Sequence, residues 1–389
     1  MINLEKIYVR FLVLVIISSI IIGLCSAFFI FTLDIVTNLR ENYTILIYFL
    51  PMAGFSISWI YTKYGQSVSK GNKLILDEFY QPQTTLPLKM APFIYLGTIL
   101  THLFGGSAGR EGTALQIAAS VADNLKYFFN INKEYRKLLL KCSVAAGFSS
   151  VFGTPLSAVF FASEVLKTKD KNYTGFAFIV LSSIIAHYSC LLTGIEHKKY
   201  SINITPILGI AEIINLIVCG ILFGIAALLF IKLIPFWKNL FSPISQPYFQ
   251  ATIAGLIITI YFHFTNDTRY LGLGIPIISD SFTTHLNYYD FLAKLILTTL
   301  TISLGFKGGE VTPLFFIGAT MGNTLSLFIP LHYSLLAGIG MVSVFSAATK
   351  TPIASSVMAA ELFGWKFGLL AIPACLASQL LSGKKSIYH

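Results

Sequence analysis

Charged side chains are scarce in this 389-residue chain and make up 11% of its residues. A soluble domain averages about 25% charged residues, so this composition excludes an ordinary soluble domain. Hydrophobic residues account for 55% of the chain, and the mean hydropathy is +0.74. The composition therefore predicts a protein whose main partner is the lipid bilayer, and we expect no nucleic-acid partner.

Cysteine is also scarce. The five cysteines are scattered and lie mostly within apolar stretches: Cys25, Cys142, Cys190, Cys219 and Cys375. Such a pattern is typical of small core residues and indicates neither a disulfide framework nor a metal cluster. The chain also has no nucleophile–base pair and no cofactor motif. We therefore expect no metal, no cofactor and no enzymatic activity.

The chain has few long, uninterrupted apolar segments. A simple membrane span needs about 20 apolar residues, and several of the stretches here are shorter, with Gly or Pro at many of their starts. Such segments are typical of tilted, partial or re-entrant helices. The stretches lie at 11–33, 44–61, 86–104, 113–128, 137–151, 155–166, 173–194, 206–235, 250–264, 290–304, 313–330, 333–347, 352–364 and 367–381.

These stretches predict an all-α, multi-pass membrane protein built as one bundle. The first stretch follows Lys6 and Arg10 but is long and lacks a clear cleavage site, so it is expected to be an uncleaved helix. The chain ends soon after the last stretch, so we expect no cytoplasmic regulatory domain.

Basic residues outnumber acidic ones and give a formal net charge of +10. They cluster at 133–141, 167–171, 198–199 and 384–385. One interpretation is the positive-inside bias of membrane loops. A second, compatible interpretation is that basic vestibules draw anions towards a pore.

The chain contains an internal repeat. Gly105–Thr113 and Gly305–Pro313 are both glycine-rich, charged turns that precede long apolar runs. A second pair, Thr154-Pro155 and Thr351-Pro352, follows at matching positions. Broken hydrophobic segments in corresponding positions of two halves indicate a transporter site near the middle of the membrane. We assign the first half to 1–200 and the second to 201–389.

Glu111 stands out because it lies between two glycines, just before the helix predicted from Thr113 onward. A helix N-terminus offers free N–H groups and a positive dipole end, which make an anion site. A carboxylate can occupy that site, leave it on protonation, and so both gate an anion path and carry a proton. The structural alternative is a helix cap or a pair with Arg110. The membrane setting and the repeat favour the functional role.

Glu310, Val311 and Thr312 occupy the equivalent turn of the second half. The Thr312 hydroxyl can donate to an anion or cap its helix, and Pro313 is predicted at the first helical position. Glu310 can also be read as a solvated acid paired with Lys307. At other positions we favour structural roles. Glu164 and Glu361 lie at the same offset from their prolines and are interpreted as scaffold carboxylates. His102 is interpreted as a packing residue, because no residues with metal-ligand spacing lie near it.

At these residues the chain resembles the CLC family of chloride channels and anion/proton antiporters. The sequence Gly109-Arg110-Glu111-Gly112-Thr113 resembles the family's gating-glutamate motif, in which the last residue is usually proline. The turn 309–313 resembles its second anion-binding turn, usually with phenylalanine at Val311, and 153–161 resembles the helix that follows. The end of the chain, 379–388, resembles the last family helix, with Tyr388 at the tyrosine whose hydroxyl contacts the central anion. The resemblance implies a CLC-type inverted repeat and a homodimer with one pore in each subunit.

Two family features are altered. The selectivity turn Gly-Ser-Gly-Ile-Pro has no good copy; Gly71-Asn72 is the best match, and a shifted alignment places Lys70 at the serine. The internal proton glutamate of the usual antiporters corresponds to Val165, one residue after Glu164.

These departures resemble the fluoride/proton antiporter branch of the family. The resemblance implies that Glu111 gates, that Glu310 serves the proton pathway, and that the anion is bound around Gly71, Asn72, Gly109, Arg110, Gly112, Val311, Thr312 and Tyr388. The expected activity is export of fluoride from a bacterial cell, across its inner membrane, in exchange for protons. An ordinary chloride channel or chloride/proton antiporter is the nearest alternative, and a membrane enzyme with Glu111 and Glu310 as acid and base is a distant one.

Overall fold

The structure is a computed structural model that describes residues 2–168, 173–198, 200, 202 and 209–388, with side chains described from residue 6 and, after the first gap, from residue 175. Within these ranges it is all-helical, and its only extended pairing is a single bridge between Gly109 and Gly309. The all-α prediction is confirmed.

Sixteen α-helices follow one another along the described chain. They are α1 Ile2–Asn42, α2 Leu50–Tyr64, α3 Asn72–Tyr80, α4 Met90–Leu103, α5 Glu111–Leu125, α6 Lys133–Phe152, α7 Pro155–Val165, α8 Tyr173–Leu191, α9 Ile210–Leu240, α10 Pro247–Thr265, α11 Ile275–Asp280, α12 Asp290–Ser303, α13 Val311–Leu325, α14 Tyr333–Thr349, α15 Pro352–Phe363 and α16 Trp365–Leu381.

The helices form two series of similar lengths, α1–α8 and α9–α16. For example, α4 and α12 have 14 residues each, and α5 and α13 have 15 each. This matching is what the repeat in the sequence predicts. The boundary at 200 and 201 stays a prediction, and residues 199 and 201 lie outside the described residues.

Four of the described helical segments are long and apolar enough to cross a membrane: Lys6–Asn42, Thr44–Tyr64, Ile210–Leu240 and Pro247–Thr265. Many other apolar helices have only 10–17 residues, as the short stretches of the sequence predict. Large apolar side chains are exposed along the long helices, for example Phe28 and Phe31 on α1, Ile214 on α9 and Ile260 on α10. An exposed apolar surface of this kind suits contact with lipid.

The centre of the bundle is formed by helices that are buried on all sides. Every residue of α14 from Ser334 to Thr349 is buried, and α6 is buried from Leu139 to Val151. In the second half α13 crosses α14 closely, because a side-chain carbon on Gly318 or Gly322 would collide with the α14 backbone. Small residues allow close backbone approach in membrane helix pairs. This packing fixes the direction in which α13 begins.

The paired Thr-Pro helices α7 and α15 cap each other. The Glu361 carboxylate near the end of α15 accepts hydrogen bonds from the Leu156 and Ser157 amides at the start of α7, at 2.8 and 2.7 Å. Glu164 near the end of α7 accepts from the Ile353 and Ala354 amides at the start of α15, at 3.3 and 2.8 Å. The scaffold role predicted for Glu164 and Glu361 is confirmed.

Candidate functional site

The two glycine-rich turns meet at the centre of the molecule. The Gly109 amide donates to the Gly309 carbonyl at 2.6 Å, and the Gly309 amide donates to the Gly109 carbonyl at 2.7 Å. A side-chain carbon on Gly308 would lie 2.5 Å from that of Ala108, so the turns can come this close only because glycine stands there. The pairing brings the N-termini of α5 and α13, one from each half, to the same place.

Glu111, the first residue of α5, extends its side chain to the start of α13. It is 1% exposed. Its Oε2 accepts from the Thr312 amide and the Arg110 amide, both at 3.1 Å, and its Oε1 accepts from the Thr312 hydroxyl. The carboxylate of one half therefore occupies the anion position that the helix start of the other half creates.

Two details of the sequence prediction are wrong. Helix α5 begins at Glu111 and not at Thr113, and α13 begins at Val311, which places Pro313 third rather than first in its helix. The turns already have helical backbone angles at Arg110 and Glu310, so each helix starts earlier than the glycines indicate. Thr312 does not cap its helix, because its hydroxyl donates to Glu111 instead.

Arg110 lies beside the same carboxylate. Its Nε is 3.9 Å from Glu111 Oε1, and its side chain is 12% exposed. This pairing was the structural alternative for Glu111, yet the nearer donors to the carboxylate belong to Thr312 and to the Arg110 backbone. The arrangement places a positive charge beside the Glu111 carboxylate.

Glu310 faces the site from the second turn. Its Oε2 is buried and has no hydrogen-bond partner within the described part of the chain. A side-chain carbon on Gly112 would lie 3.3 Å from this oxygen and 2.9 Å from Asn72 Nδ2, so the missing side chain at Gly112 leaves the two groups facing one space. Burying a carboxylate oxygen without a hydrogen bond costs free energy. This cost makes Glu310 a candidate functional residue.

Lys307 does not pair with Glu310 in the described structure. Its ammonium lies over the Tyr61 ring, 4.1 Å from the centroid, and its stem packs against Gly97. The ion pair considered as the structural alternative for Glu310 is therefore not formed, because the short turn directs the lysine towards α2 and α4.

Asn72 reaches the site and Lys70 does not. Helix α3 begins at Asn72, after Gly71 in a positive-φ conformation (φ 57°) that suits glycine. The Lys70 ammonium instead pairs with Asp77 at 3.1 Å, and 62% of its side chain is exposed. The structure thus favours the alignment that places Asn72 at the serine of the family turn.

Tyr388 lies on the other side of Asn72. It is buried, its ring centroid is 6.3 Å from that of Phe161, and its hydroxyl has no hydrogen-bond partner among the described residues. Tyr388, Asn72 and Val165 line one small cavity of about 20 Å³. Val165 is aliphatic, and neighbouring Glu164 is engaged as a helix cap, so the described wall of this cavity holds no carboxylate at the internal proton position.

A wider cavity of about 680 Å³, which we call the vestibule, opens next to Tyr388. Its lining includes Lys70, Lys73, Asp77 and Glu78. Tyr388 lines both this vestibule and the small cavity that contains Asn72. The vestibule and the small cavity therefore lie next to each other, with Tyr388 in the wall of both.

A buried ion network that the sequence did not predict holds the vestibule wall. Arg136 donates to Asp123 at 2.8 and 2.7 Å, and to Glu78 of α3 at 3.2 Å. Glu78 also accepts from the Thr84 amide and hydroxyl at 3.1 and 3.0 Å. Arg136 belongs to the basic cluster 133–141, and neither sequence interpretation of that cluster, as loop charge or as an anion-attracting vestibule, gave this residue a buried structural role.

His102 is a satisfied packing residue. Its two ring nitrogens lie 2.9 Å from the Thr98 carbonyl and 3.1 Å from the Ala108 carbonyl. These contacts tie α4 to the first glycine-rich turn, in agreement with the structural role predicted for this residue.

The fold is that of a multi-pass membrane protein, and the site brings together the starts of two broken helices, one from each half, around a buried carboxylate. The sequence profile of the voltage-gated chloride channel family matches residues 53–383. The chain therefore belongs to the voltage-gated chloride channel family, the CLC family of anion transporters, as the motifs indicated.

Individual relatives agree. The chain is 40% identical over 383 residues to a "Chloride/fluoride channel protein" of Pseudomonas syringae pv. tomato, covering 95% of this chain and 84% of the relative. It is similar to the crystal structure of a CLC-type fluoride/proton antiporter, with a TM-score of 0.94, 34% identity, and coverage of 98% and 97% of the two chains. It also shares its fold with a slow cyanobacterial Cl⁻/H⁺ antiporter, at a TM-score of 0.84, 18% identity and coverage of 97% and 96%.

Proposed function

We propose that this protein is a fluoride/proton antiporter that exports fluoride in exchange for protons. One observation carries the proposal. The Glu111 carboxylate is held at the N-terminus of α13 by the amide and the hydroxyl of Thr312. A titratable group thus occupies a site built for an anion, with one donor more than a bare helix end provides.

Protonation of Glu111 couples the two ions. The neutral carboxyl loses its charge-assisted hydrogen bonds to Thr312, which are the strong ones. Fluoride then takes these donors, and the protonated side chain moves away carrying its proton. Return of the carboxylate expels the anion, so that each fluoride moves in exchange for a proton.

Glu310 receives that proton. Its buried, unpartnered Oε2 faces the space beside Gly112, one residue from Glu111. A carboxylate there accepts a proton without first breaking another hydrogen bond. This role replaces the internal proton glutamate of the usual antiporters, whose position is taken by Val165.

Selectivity for fluoride follows from the donors. Fluoride is small and strongly hydrated, so removing its water costs several kcal/mol unless the protein returns hydrogen bonds. Thr312 offers an amide and a hydroxyl, Tyr388 a hydroxyl, and Asn72 an amide group. The free hydroxyl of Tyr388, next to Asn72, supports this assignment.

The setting follows from the same assignment. The protein lies in the inner membrane of a bacterial cell with the vestibule open to the cytoplasm, where fluoride accumulates as the anion of a weak acid that enters in its neutral form. Each subunit has its own pore and works within a homodimer. Exposed apolar side chains on α7, α15 and α16, such as Leu156, Ile353 and Leu376, give the dimer a surface.

An anion comparison in proteoliposomes tests the proposal. Vesicles loaded with fluoride should release it much faster than matched vesicles release chloride, and both should be compared with protein-free vesicles. Release of chloride as fast as fluoride would replace the fluoride assignment with a general chloride channel or antiporter of the same family.

A further inference from the structure

The charges that line the vestibule are unevenly paired. Lys70 is bonded to Asp77 at 3.1 Å, and Glu78 is bonded to the Arg136 guanidinium at 3.2 Å. The pair of Lys70 and Asp77 is neutral as a unit. Arg136 also binds Asp123, which in turn binds Lys126 at 2.9 Å, so the network of Glu78, Arg136, Asp123 and Lys126 is neutral as a whole. The two acids in this wall are therefore compensated.

Lys73 is the exception. Its side chain is exposed, it lines the vestibule, and it takes part in none of the ion pairs or side-chain hydrogen bonds of the described residues. It is the second residue of α3 and directly follows Asn72, which reaches the site. One uncompensated positive charge thus lies in the vestibule wall, next along α3 to Asn72.

We propose that Lys73 captures the anion from the vestibule and sets the rate at which it enters the site. The identity of the anion as fluoride rests on the function proposed above; the capture role itself does not. A concave, low-dielectric wall with one net charge raises the local concentration of the opposite ion. Because the lysine is exposed to solvent, the attraction is screened by salt.

The effect of charge can be distinguished from that of side-chain shape, because the same segment offers a control substitution that leaves the net charge unchanged. Lys73→Gln removes the uncompensated charge, whereas the double change Lys70→Gln with Asp77→Asn removes a neutral pair. Asp77→Asn alone leaves Lys70 unpaired and adds a positive charge. If charge is the cause, the efflux rates of these variants should follow their net charge. A local packing defect would not produce that order.

The experiment measures initial anion efflux from proteoliposomes at low and at saturating internal anion concentration. At low concentration Lys73→Gln should reduce the rate about three-fold, as expected for one partly screened charge several ångströms away. Asp77→Asn should increase the rate, and the double variant should match the unaltered protein. At saturation the rates should converge, and added inert salt should remove the difference at low concentration.

A cysteine at the same position tests charge directly. In Lys73→Cys, a cationic methanethiosulfonate reagent should restore the low-concentration rate, and an anionic one should reduce it further. The native cysteines are buried or half-buried, so the unaltered protein treated with the same reagents is the control. The reagents do not cross the membrane, so they are enclosed in the vesicles during reconstitution, where they reach the molecules whose vestibule faces the interior that the anion leaves.

Three results would overturn the capture role: an unchanged rate in Lys73→Gln at low concentration, a loss in Lys73→Arg equal to that in Lys73→Gln, or equal responses to the two reagents. Failure of fluoride/proton exchange is a separate outcome. If the unaltered protein carries chloride uncoupled from protons, the proposed function is wrong, and the same variant series measured with chloride still decides the role of Lys73.

Discussion

Glu111 is bound by groups from both halves of the repeat: the Arg110 amide of its own turn and the amide and hydroxyl of Thr312 from the other. Neither turn alone provides this set of donors. The hydrogen bonds of Glu111 therefore depend on the correct packing of the two halves, and its protonation changes its contacts with both.

Glu111→Gln should abolish coupling between fluoride and protons. The amide has the shape of the protonated side chain but cannot release a proton or carry charge back into the site. We expect transport to stop or to continue as a leak without proton movement, measured as simultaneous fluoride and pH traces from proteoliposomes. Glu134→Gln, at an exposed position of α6, serves as the control. Coupled exchange that survives in Glu111→Gln would remove the gating role.

Thr312→Ala should weaken fluoride transport about ten- to a hundred-fold. Its hydroxyl donates to a charged acceptor, and losing such a hydrogen bond costs about 1.5–3 kcal/mol. Any residual chloride movement should change much less, because the larger and less hydrated ion depends less on the added donor. Thr312→Ser keeps the hydroxyl and should stay near the unaltered rate, measured in the same efflux assay. Equal losses in Ala and Ser would assign the effect to packing instead.

At this scale the sequence predicted a site at Glu111, Glu310 and Thr312, because the repeat marks two turns whose residue types suit an anion. It did not predict a role for Arg136, since a lysine- and arginine-rich stretch resembles membrane-loop charge whether or not one member turns inward. The sequence favoured Asn72 over Lys70 but left the alternative alignment open. That choice depends on the backbone angles at Gly71, which direct Asn72 to Gly112 and leave Lys70 to Asp77.

Helices α7 and α15 show how short membrane elements are stabilised. Each starts with free amides that a membrane interior would leave unsatisfied. Each receives a carboxylate from the end of the other, so one symmetric pair of contacts satisfies both helix starts. The matching positions of Glu164 and Glu361 indicated a scaffold, while the reciprocal direction of the contacts required the structure.

Glu361→Gln should destabilise the protein by about 1–2 kcal/mol, because two charge-assisted hydrogen bonds become one neutral bond. Glu164→Gln should do the same. Thermal unfolding in detergent, followed by size-exclusion chromatography, is the measurement. Glu196→Gln, at an exposed position after the end of α8, provides a matched control. Transport per folded molecule should be unchanged, and a selective loss of transport at full stability would contradict the scaffold role.

For the whole molecule, the all-α class and the repeat followed from composition and motif spacing. Helix starts were placed two residues late, at Thr113 and Pro313, because glycine marks a turn without giving the backbone angles of the next residues. The charge clusters suggested basic vestibules, but the position and lining of the vestibule could not be predicted. It depends on how α3, which is only nine residues long, is anchored to α6 through Glu78 and Arg136.

The dimer is a prediction at this scale. Exposed apolar side chains on α16, including Leu369, Ile372 and Leu376, offer a surface for a second copy. Cross-linking in liposomes should give a species of twice the subunit mass, and symmetric self-association is the common outcome for homo-oligomers. Leu376→Asn should reduce the cross-linked fraction while each pore keeps its activity. A functional protein that stays monomeric at every lipid dilution would contradict the dimer.

Fluoride-driven proton movement tests the central claim most directly. Proteoliposomes loaded with fluoride are diluted into fluoride-free buffer at equal pH, with the membrane potential held near zero by potassium and valinomycin, and the internal pH is recorded. The account predicts that protons enter as fluoride leaves and accumulate against the gradient they create, and that an equal chloride gradient produces far less acidification. Rapid fluoride efflux without proton entry would contradict antiport, and equal acidification with chloride would contradict selectivity for fluoride.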